Sequence, residues 1–361
     1  MRSILPSALL LGSLAACQRS ATRTPSVETA TPPDAAAPAS VAGVPARDVP
    51  PAARYTEVAR ALEAFIAHEM RDKQLPALSI ALVDGQEVVW ARGFGWADSA
   101  AGVPASAATT YRVGSVSKLF TDLAVMQLVE RGALDLDAPV TRWLPDFTPQ
   151  DPFGTPITLR QLMSHRAGVV REPPAGHYFD TSGTSLAATV RSLNGTRLVY
   201  APTTRTKYSN AGIATVGYVL ERTQGEPFAS YVRRAVLRPM GMAHSAFAPD
   251  PAVRAGLAKA VMWTVEGRTF PAPTFELGMA PAGSMYAPVT DLAQFLRVLF
   301  AGGAGAGGQV IRRETLEQMW RPQFAPDTAT RGYGIGFAVG RIDGRRTVSH
   351  GGAIYGFATE L

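Results

Sequence analysis

Two β-rich regions at opposite ends of the chain, with helical periodicity between them, constrain the fold of this sequence most. The first contains residues 76–83 and 87–95 on either side of Asp84-Gly85, a dipeptide typical of tight hairpin turns. The second, residues 334–361, has another Asp-Gly turn at residues 343–344. The pattern predicts an α+β fold, in which an antiparallel sheet is flanked by helices and interrupted by a large helical insertion.

Apolar residues recur at helical spacing in several segments. Residues 55–72 carry one apolar stripe, and residues 115–131 have a strong helical pattern that ends before Gly132. The same criteria predict helices at residues 159–164, 211–223, 227–236, 289–301 and 313–320. With 361 residues, 46% of them hydrophobic, the chain can form one large core or two lobes.

The N-terminus has the composition of a secretory signal. Residues 1–17 combine Arg2, an apolar stretch and small residues before Cys17. The tetrad at residues 14–17 resembles the lipobox of bacterial lipoproteins, in which the cysteine becomes the lipid-modified first residue. Cys17 is the only cysteine, so no disulfide can form within the chain and lipidation is predicted. The alternative is an ordinary signal peptide with an incidental cysteine.

This N-terminus predicts export and membrane attachment through a lipid anchor. Gln18 rather than Asp follows the cysteine, and in such lipoproteins this choice usually accompanies an outer-membrane location. We therefore expect the protein at the periplasmic side of the outer membrane. Residues 18–54 are rich in Ala, Pro and Thr and predict a disordered linker. The predicted domain covers residues 55–361.

Charge and metal-ligand patterns exclude two classes of function. The formal net charge is +6, but the basic residues are mostly scattered arginines without a cluster, so no nucleic-acid partner is predicted. His68-Glu69 lacks the second histidine of a zinc-binding helix, because Asp72 stands at that position.

Ser115 and Lys118 lie near the start of the helical segment 115–131. Residues three apart on a helix share a face, so these two side chains can touch, whereas Ser117 points elsewhere. A serine hydroxyl becomes nucleophilic when a base takes its proton, and a desolvated lysine with a lowered pKa is such a base. Taken alone, the spacing is also typical of a surface lysine one turn below a capping serine.

Tyr208, Ser209 and Asn210 immediately precede the helical segment 211–223. A tyrosine there can accept or donate a proton if a nearby ammonium lowers its pKa. The Asn210 amide can orient a lysine or a substrate carbonyl. By themselves these residues are more typical of a helix N-cap.

His350, Gly351 and Gly352 follow a predicted strand, and glycines there allow a ligand or another backbone to come close. The next N–H group, at Ala353, would be the second donor of an oxyanion hole whose first donor is the N–H of Ser115. The alternative is a glycine-rich turn with an exposed histidine.

Together, Ser-x-x-Lys, Tyr-x-Asn and a basic residue-x-Gly resemble, in this order, the serine β-lactamase and penicillin-binding protein superfamily. The form Tyr-x-Asn resembles the class C β-lactamase-like branch, which includes carboxypeptidases, D-amino-acid peptidases and esterases. Other segments that are similar to this family are residues 111–121, 157–169, 237–242, 280–296 and 332–337.

The resemblance implies a β-lactamase/transpeptidase-like fold and a role for each motif residue. Ser115 would attack a carbonyl, Lys118 and Tyr208 would share the general-base and general-acid work, and Asn210 would orient them. The N–H groups of Ser115 and Ala353 would hold the oxyanion. The resemblance implies no metal and no cofactor.

Two features depart from the family pattern. His350 stands where β-lactamases usually carry lysine, and a partly charged histidine predicts weak or absent β-lactamase activity. Family members with histidine there are commonly peptidases or esterases. The chain also stops at Leu361, where relatives continue through a strand and a closing helix, so we expect a C-terminal strand and helix to be missing.

The sequence therefore predicts a serine hydrolase that acts through an acyl-enzyme on an ester or amide, from a cell-wall peptide or a small ester, outside the cytoplasm. The alternatives are a D-Ala-D-Ala carboxypeptidase or β-lactamase, and an inactive penicillin- or wall-binding lipoprotein. The predicted partners are a small-molecule or peptidoglycan-derived substrate and the membrane. The sequence contains no signal for an oligomeric state.

Overall fold

A computed structural model describes residues 48–361 of the chain. The predicted signal segment, Cys17 and residues 18–47 of the predicted linker lie outside the described residues. At the end of the linker segment, Val49 and Ala91 exchange backbone hydrogen bonds of 2.8 and 3.0 Å, and Ala52 N donates to Val89 O. Residues 49–52 therefore run beside a strand of the domain.

Helices form at all the segments predicted from periodicity. Their bounds are α1 Thr56–Asp72, α2 Ser117–Glu130, α3 Leu159–Met163, α4 Leu186–Ser192, α5 Asn210–Gln224, α6 Phe228–Val232, α7 Pro251–Ala255, α8 Ala280–Gly283, α9 Val289–Phe300 and α10 Arg313–Met319. A π-helical stretch, Arg233–Leu237, continues α6. The helices α4, α7 and α8 were not predicted from the sequence. Within residues 48–361, none of the helices has the length and apolar character needed to cross a bilayer.

The strands pair into antiparallel ladders at both ends of the domain. They are β1 Ala77–Asp84, β2 Glu87–Asp98, β3 Val103–Pro104, β4 Tyr111–Arg112, β5 Val261–Trp263, β6 Thr269–Pro271, β7 Tyr286–Ala287, β8 Ala304–Gly305, β9 Gly308–Gln309, β10 Gly332–Tyr333, β11 Ala338–Ile342, β12 Arg345–Ser349, β13 Gly351–Ile354 and β14 Phe357–Glu360. The larger ladders are β1-β2-β3, β10-β11-β12 and β13-β14.

The α+β prediction is confirmed, with one refinement of the sheet. The hairpin of β1 and β2 turns where the sequence predicted it, with Asp84 opposite Glu87 and Gly85 at a φ of 58°. Among the described residues, however, the strands form separate ladders of two or three rather than one continuous sheet. Short strands such as β4 and β7 pair for only two residues, which limits how far each ladder extends.

Helix α2 lies at the centre of the main hydrophobic core. Every residue from 117 to 128 is buried, including polar ones, so α2 is covered by protein on all sides. Phe120 of α2 packs against Phe295 of α9 with ring centroids 4.7 Å apart. The N-terminal turn of α2, which carries Lys118, therefore lies inside the main hydrophobic core.

Two phenylalanines of α9 test this description of the core. Phe295 is fully buried, whereas Phe300 on the same helix is 57% exposed. We expect Phe295→Ala to lower the free energy of unfolding by about 3–5 kcal/mol, because it removes buried apolar surface and leaves a cavity. Phe300→Ala should cost less than about 1 kcal/mol. Urea unfolding of both variants measures the difference, and equal losses would contradict the proposed core.

Candidate active site

Ser115 lies in a 3₁₀ turn, Gly114–Val116, rather than in the α-helix that was predicted to contain it. The α-helix begins at Ser117, but a 3₁₀ turn also brings residues i and i+3 together. Lys118 Nζ accordingly lies 3.0 Å from Ser115 Oγ. The Ser117 hydroxyl faces away from this contact, since it donates to Gly114 O at 2.6 Å and accepts from Met285 N at 3.0 Å.

The Lys118 amine is buried among acceptors from distant parts of the chain. Its Nζ donates to Asn210 Oδ1 at 2.7 Å and to Ala282 O at 2.6 Å. The residue has no exposed surface, and this desolvation lowers its pKa to about 7, although Asp122 and Glu172 act in the opposite direction. Near neutral pH the amine therefore exchanges its proton readily.

These contacts determine whether an N–H group or the lone pair of the neutral Lys118 amine faces Ser115. A neutral amine has two N–H groups and one lone pair. The Asn210 Oδ1 and Ala282 carbonyl oxygens can only accept, so they take both N–H groups. The lone pair is left for the Ser115 hydroxyl, and this arrangement allows Lys118 to remove the serine proton.

Asn210 is held in one orientation by Glu172 and Tyr178. Its Nδ2 donates to the Glu172 carboxylate at 2.8 and 3.1 Å and to the Tyr178 hydroxyl at 3.4 Å. Because a carboxylate only accepts hydrogen bonds, the amide oxygen must face Lys118. Asn210 thus positions the lysine amine, and Glu172 positions Asn210.

Tyr208 lies beside the Lys118 amine, with Nζ 4.8 Å from the centre of its ring. Burial raises the pKa of Tyr208 well above its ordinary value, although a hydrogen bond with Ser115 opposes this rise. The residue is therefore a phenol at neutral pH and can donate a proton. Ser209 meanwhile caps α5, because its Oγ accepts from Gly212 N at 2.8 Å. The N-cap alternative is thus confirmed for Ser209, while Tyr208 and Asn210 lie beside the Lys118 amine.

His350 is buried, in contrast to the exposed turn histidine considered as the alternative. Its Nδ1 donates to Gly351 O at 2.7 Å, so in the neutral ring Nε2 is an acceptor and receives the Tyr333 hydroxyl at 2.9 Å. Burial, and then the charge of Lys118, lower the pKa of His350 to about 4. The third motif therefore presents a neutral imidazole with both nitrogens occupied.

The hydrogen-bond alternation of the β13-β14 hairpin directs the Ala353 N–H toward Ser115. His350 N donates to Leu361 O at 2.9 Å, and bonded and non-bonded pairs alternate along an antiparallel ladder. Ala353 is then in a non-bonded pair with Ala358, and its N–H points away from β14. A Cβ on Gly114 would lie 2.6 Å from Ala353 N, so this amide borders the turn that carries Ser115.

Gly352, rather than Gly351, provides the close approach between the two backbones. A Cβ on Gly352 would lie 2.0 Å from Val113 O and 3.1 Å from Ser115 N. A Cβ on Gly351 would meet chiefly the flexible end of the Glu360 side chain, at 2.7 Å. The backbones that carry the N–H groups of Ser115 and Ala353 therefore lie directly against each other, which is compatible with the predicted oxyanion hole.

Sequence reasoning assigned no role to several residues that surround the motifs. His165, inside the family-like segment 157–169, packs against Tyr208 with ring centroids 4.3 Å apart and the rings tilted by 41°, and its Nδ1 accepts from Ser209 N at 3.3 Å. Tyr333, inside segment 332–337, contacts His165 and His350. The resemblance of segments 157–169 and 332–337 to the family was a sequence signal for these residues. It did not indicate which side chains in the segments face the site.

Comparisons with known proteins show the family to which the chain belongs. A sequence profile described as Beta-lactamase matches residues 62–361. Esterase EstB of Burkholderia gladioli is 33% identical over 318 residues, which cover 78% of this chain and 78% of that protein. Putative beta-lactamase-like 1 of Homo sapiens is 29% identical over 315 residues, and these span 80% of this chain but only 61% of the human protein.

Solved structures show the same fold. The octameric penicillin-binding protein homologue from Pyrococcus abyssi has a TM-score of 0.73 and 28% identity, covering 84% of this chain and 70% of that one. The D-amino acid amidase from Ochrobactrum anthropi SV3 has a TM-score of 0.68 over 84% of this chain and 86% of that one. At 23% identity the amidase supports the fold alone.

The two glycines of the third motif give a matched test of the site. We expect Gly352→Ala to slow the reaction of Ser115 with a fluorophosphonate by about 100-fold or more, because the new methyl group separates an oxyanion donor from the serine. Gly351→Ala should retain most of the rate, since the Glu360 side chain can move. Labelling time courses measure both rates, and circular dichroism checks the fold. Equal rates for the two variants would contradict the assignment of Gly352.

Proposed function

The chain belongs to the Beta-lactamase family and is a serine hydrolase, and we propose that it cleaves an ester or amide through an acyl-enzyme on Ser115. The observation that carries this proposal is the 3.0 Å contact between Ser115 Oγ and the buried Lys118 amine. A weak nucleophile beside a base of matched pKa is the arrangement that covalent catalysis needs.

In the proposed acylation, the lone pair of Lys118 takes the Ser115 proton while Oγ bonds to the substrate carbonyl carbon. The carbonyl oxygen becomes an oxyanion between the N–H groups of Ser115 and Ala353. When the bond to the leaving group breaks, Tyr208 donates its phenolic proton to that group. The phenolate then recovers a proton from the Lys118 ammonium, so both residues return to their starting states.

Water enters after the leaving group departs and hydrolyses the acyl-enzyme through the same residues. The neutral amine of Lys118 takes a proton from water, and the hydroxide adds to the acyl carbonyl. When the oxyanion collapses and the acyl bond breaks, Tyr208 donates its phenolic proton to Ser115 Oγ, and the Lys118 ammonium then returns a proton to the phenolate. The pair Lys118 and Tyr208 thus serves both half-reactions.

The neutral state of His350 favours an esterase or peptidase over a dedicated β-lactamase. A lysine at this position would offer a permanent cation to a substrate carboxylate, whereas the His350 nitrogens are occupied by Gly351 O and the Tyr333 hydroxyl. The sequence similarity to an esterase supports the same choice. Carboxypeptidase or β-lactamase activity is the second candidate, and an inactive wall-binding lipoprotein is the third.

We further propose that the enzyme acts outside the cytoplasm as a lipoprotein. This proposal rests on the lipobox-like residues 14–17 alone. It implies that the enzyme meets cell-wall peptides or small esters at the periplasmic side of a bacterial membrane.

Intact-mass spectrometry with a panel of substrates tests the proposed function. A p-nitrophenyl ester should add the mass of its acyl group to the wild type, because the acyl chain is transferred to Ser115 Oγ. Ser115→Ala should show no added mass, and Ser117→Ala serves as a neighbouring hydroxyl control that keeps the adduct. D-Ala-D-Ala peptides and β-lactams complete the panel.

Each outcome of the panel separates one candidate from the others. An adduct from esters alone supports the esterase, and one that persists in Ser115→Ala would exclude the proposed nucleophile. Rapid turnover of a chromogenic cephalosporin would contradict the preference drawn from His350. A penicillin adduct that never hydrolyses, without any ester turnover, would favour the binding lipoprotein.

The pKa of Lys118 predicts the pH dependence of catalysis. Because the neutral amine is the base and its pKa is lowered to about 7, kcat/KM for a neutral ester should rise through about pH 7 and level off above it. His350, with a pKa of about 4, stays neutral and adds no step in this range. Stopped assays from about pH 5.5 to about pH 10.5, corrected for spontaneous hydrolysis, measure the profile.

Lys118→Arg is the matched control, since arginine keeps the cation but cannot lose its proton. This variant should be inactive at every pH tested. A wild-type inflection above about pH 9, or an active arginine variant, would show that Lys118 is not the base.

A further inference from the structure

His165 contacts Tyr208 and also the residues on both sides of it. Its backbone carbonyl accepts from Lys207 N at 2.7 Å, and its Nδ1 accepts from Ser209 N at 3.3 Å. Between these two hydrogen bonds, the imidazole packs against the Tyr208 ring with centroids 4.3 Å apart. One histidine thus holds three consecutive residues, and this restricts the position of the Tyr208 ring.

The backbone of His165 has a conformation that histidine rarely adopts. Helix α3 ends at Met163 with Ser164 as its C-cap, and His165 follows in the left-handed region at a φ of 58°. Glycine, and sometimes asparagine, is the usual residue at this position after a helix. In this conformation the carbonyl oxygen and Nδ1 of His165 both face residues 207–209. The strained backbone therefore coincides with the contacts around Tyr208.

The buried surroundings of His165 keep its ring in the state that these contacts need. The residue is buried, and chiefly for this reason its pKa lies well below the ordinary value. The neutral ring leaves a lone pair on Nδ1 for the Ser209 N–H. His165 also contacts the ring of Tyr333, with centroids 4.9 Å apart, and the Tyr333 hydroxyl bonds to His350 Nε2. His165 therefore lies between the second and the third motif.

Two cationic side chains also contact the Tyr208 ring but are less suited to fix it. Lys118 Nζ lies 4.8 Å from the ring centre, and this amine is the proposed base, which gains and loses a proton in each half-reaction. The Arg171 guanidinium lies 5.1 Å from the ring centre, and 58% of its side chain is exposed. In the described part of the chain, His165 is the one of these three that also binds the main chain on both sides of Tyr208.

We propose that His165 is a positioning residue that holds the Tyr208 phenol where it protonates the leaving group. This inference rests on the proposed function, because it uses Tyr208 as the proton donor. In this role His165 transfers no proton itself and acts only through Tyr208. Its loss should therefore slow those reactions in which the leaving group needs a proton, and should spare those in which it does not.

Two acetate esters of similar size separate this role from a general loss of structure. 4-Nitrophenol leaves as a stabilised anion and needs no proton, whereas 4-nitrobenzyl alcohol would leave as an alkoxide and needs one. Both esters form the same acetyl-enzyme, so their kcat/KM values, corrected for spontaneous hydrolysis, compare the acylation step alone. Tyr208→Phe should lower kcat/KM about 100-fold for the 4-nitrobenzyl ester and less than about threefold for the 4-nitrophenyl ester.

His165→Gly should reproduce this selectivity, with a loss of about 30-fold for the 4-nitrobenzyl ester, because glycine tolerates the left-handed backbone but removes both side-chain contacts. His165→Asn should lose only about fivefold, since asparagine also tolerates this conformation and its amide oxygen can replace Nδ1 as the acceptor. In a Tyr208→Phe background, His165→Gly should cause no further loss, because both changes remove the same donor.

His244→Asn is the matched control. His244 is also a histidine whose Nδ1 has one polar partner, but that partner is Asp291, with Nδ1 3.2 Å from Oδ1. This variant should leave kcat/KM for both esters unchanged. Circular dichroism checks the fold of every variant, and His165→Asn decides the comparison if His165→Gly does not fold.

The outcomes separate this inference from the proposed function. Equal losses for the two esters in the His165 variants, or no loss, would show that His165 does not position the donor. Additive losses in the double variant, or a Tyr208→Phe variant without selectivity, would also overturn the inference, while Ser115-dependent turnover of the 4-nitrophenyl ester stands. If the wild type forms no acetyl adduct on Ser115 with either ester, the proposed function fails and this inference with it.

Discussion

Burial of the Lys118 amine is the constraint on which the rest of the site depends. An ammonium group in a protein interior is costly unless it is well solvated by protein groups, and here that cost lowers the pKa to about 7. The carbonyl of Ala282 and the amide of Asn210 compensate part of it. Both acceptors come from helices packed against α2, so the base exists only when α2, α5 and α8 are assembled.

The same buried environment sets the states of the neighbouring groups. Tyr208 remains a phenol and His350 a neutral imidazole, because burial disfavours the charged form of each. His165 lies against Tyr208 and is neutral for the same reason. The result is a site in which proton transfer is carried by one amine and one phenol, while exposed Arg171 and buried Arg112 carry permanent positive charge near it.

Much of the fold follows from local patterns. The amphipathic stripes of α1 and α9, and the Asp-Gly turn between β1 and β2, are visible in the sequence because they depend on nearest neighbours. The start of α2 was less predictable: Ser115 lies in a 3₁₀ turn, where Gly114 takes a φ of 52° beneath the backbone of β13. That distortion comes from a strand more than two hundred residues away. Helix α8, which supplies the Ala282 carbonyl, is too short to show a period.

The sequence by itself determined which reactive groups exist and that Ser115 and Lys118 can meet, since a separation of three residues brings side chains together in any helical turn. It also indicated the order of the three motifs and, through their resemblance, the family. Only the tertiary structure decided the direction of the Lys118 lone pair, the neutral state of His350 and the position of Arg171 on Tyr208. These properties depend on desolvation and on hydrogen-bond acceptors from distant segments of the chain. Neither can be predicted from a local sequence pattern.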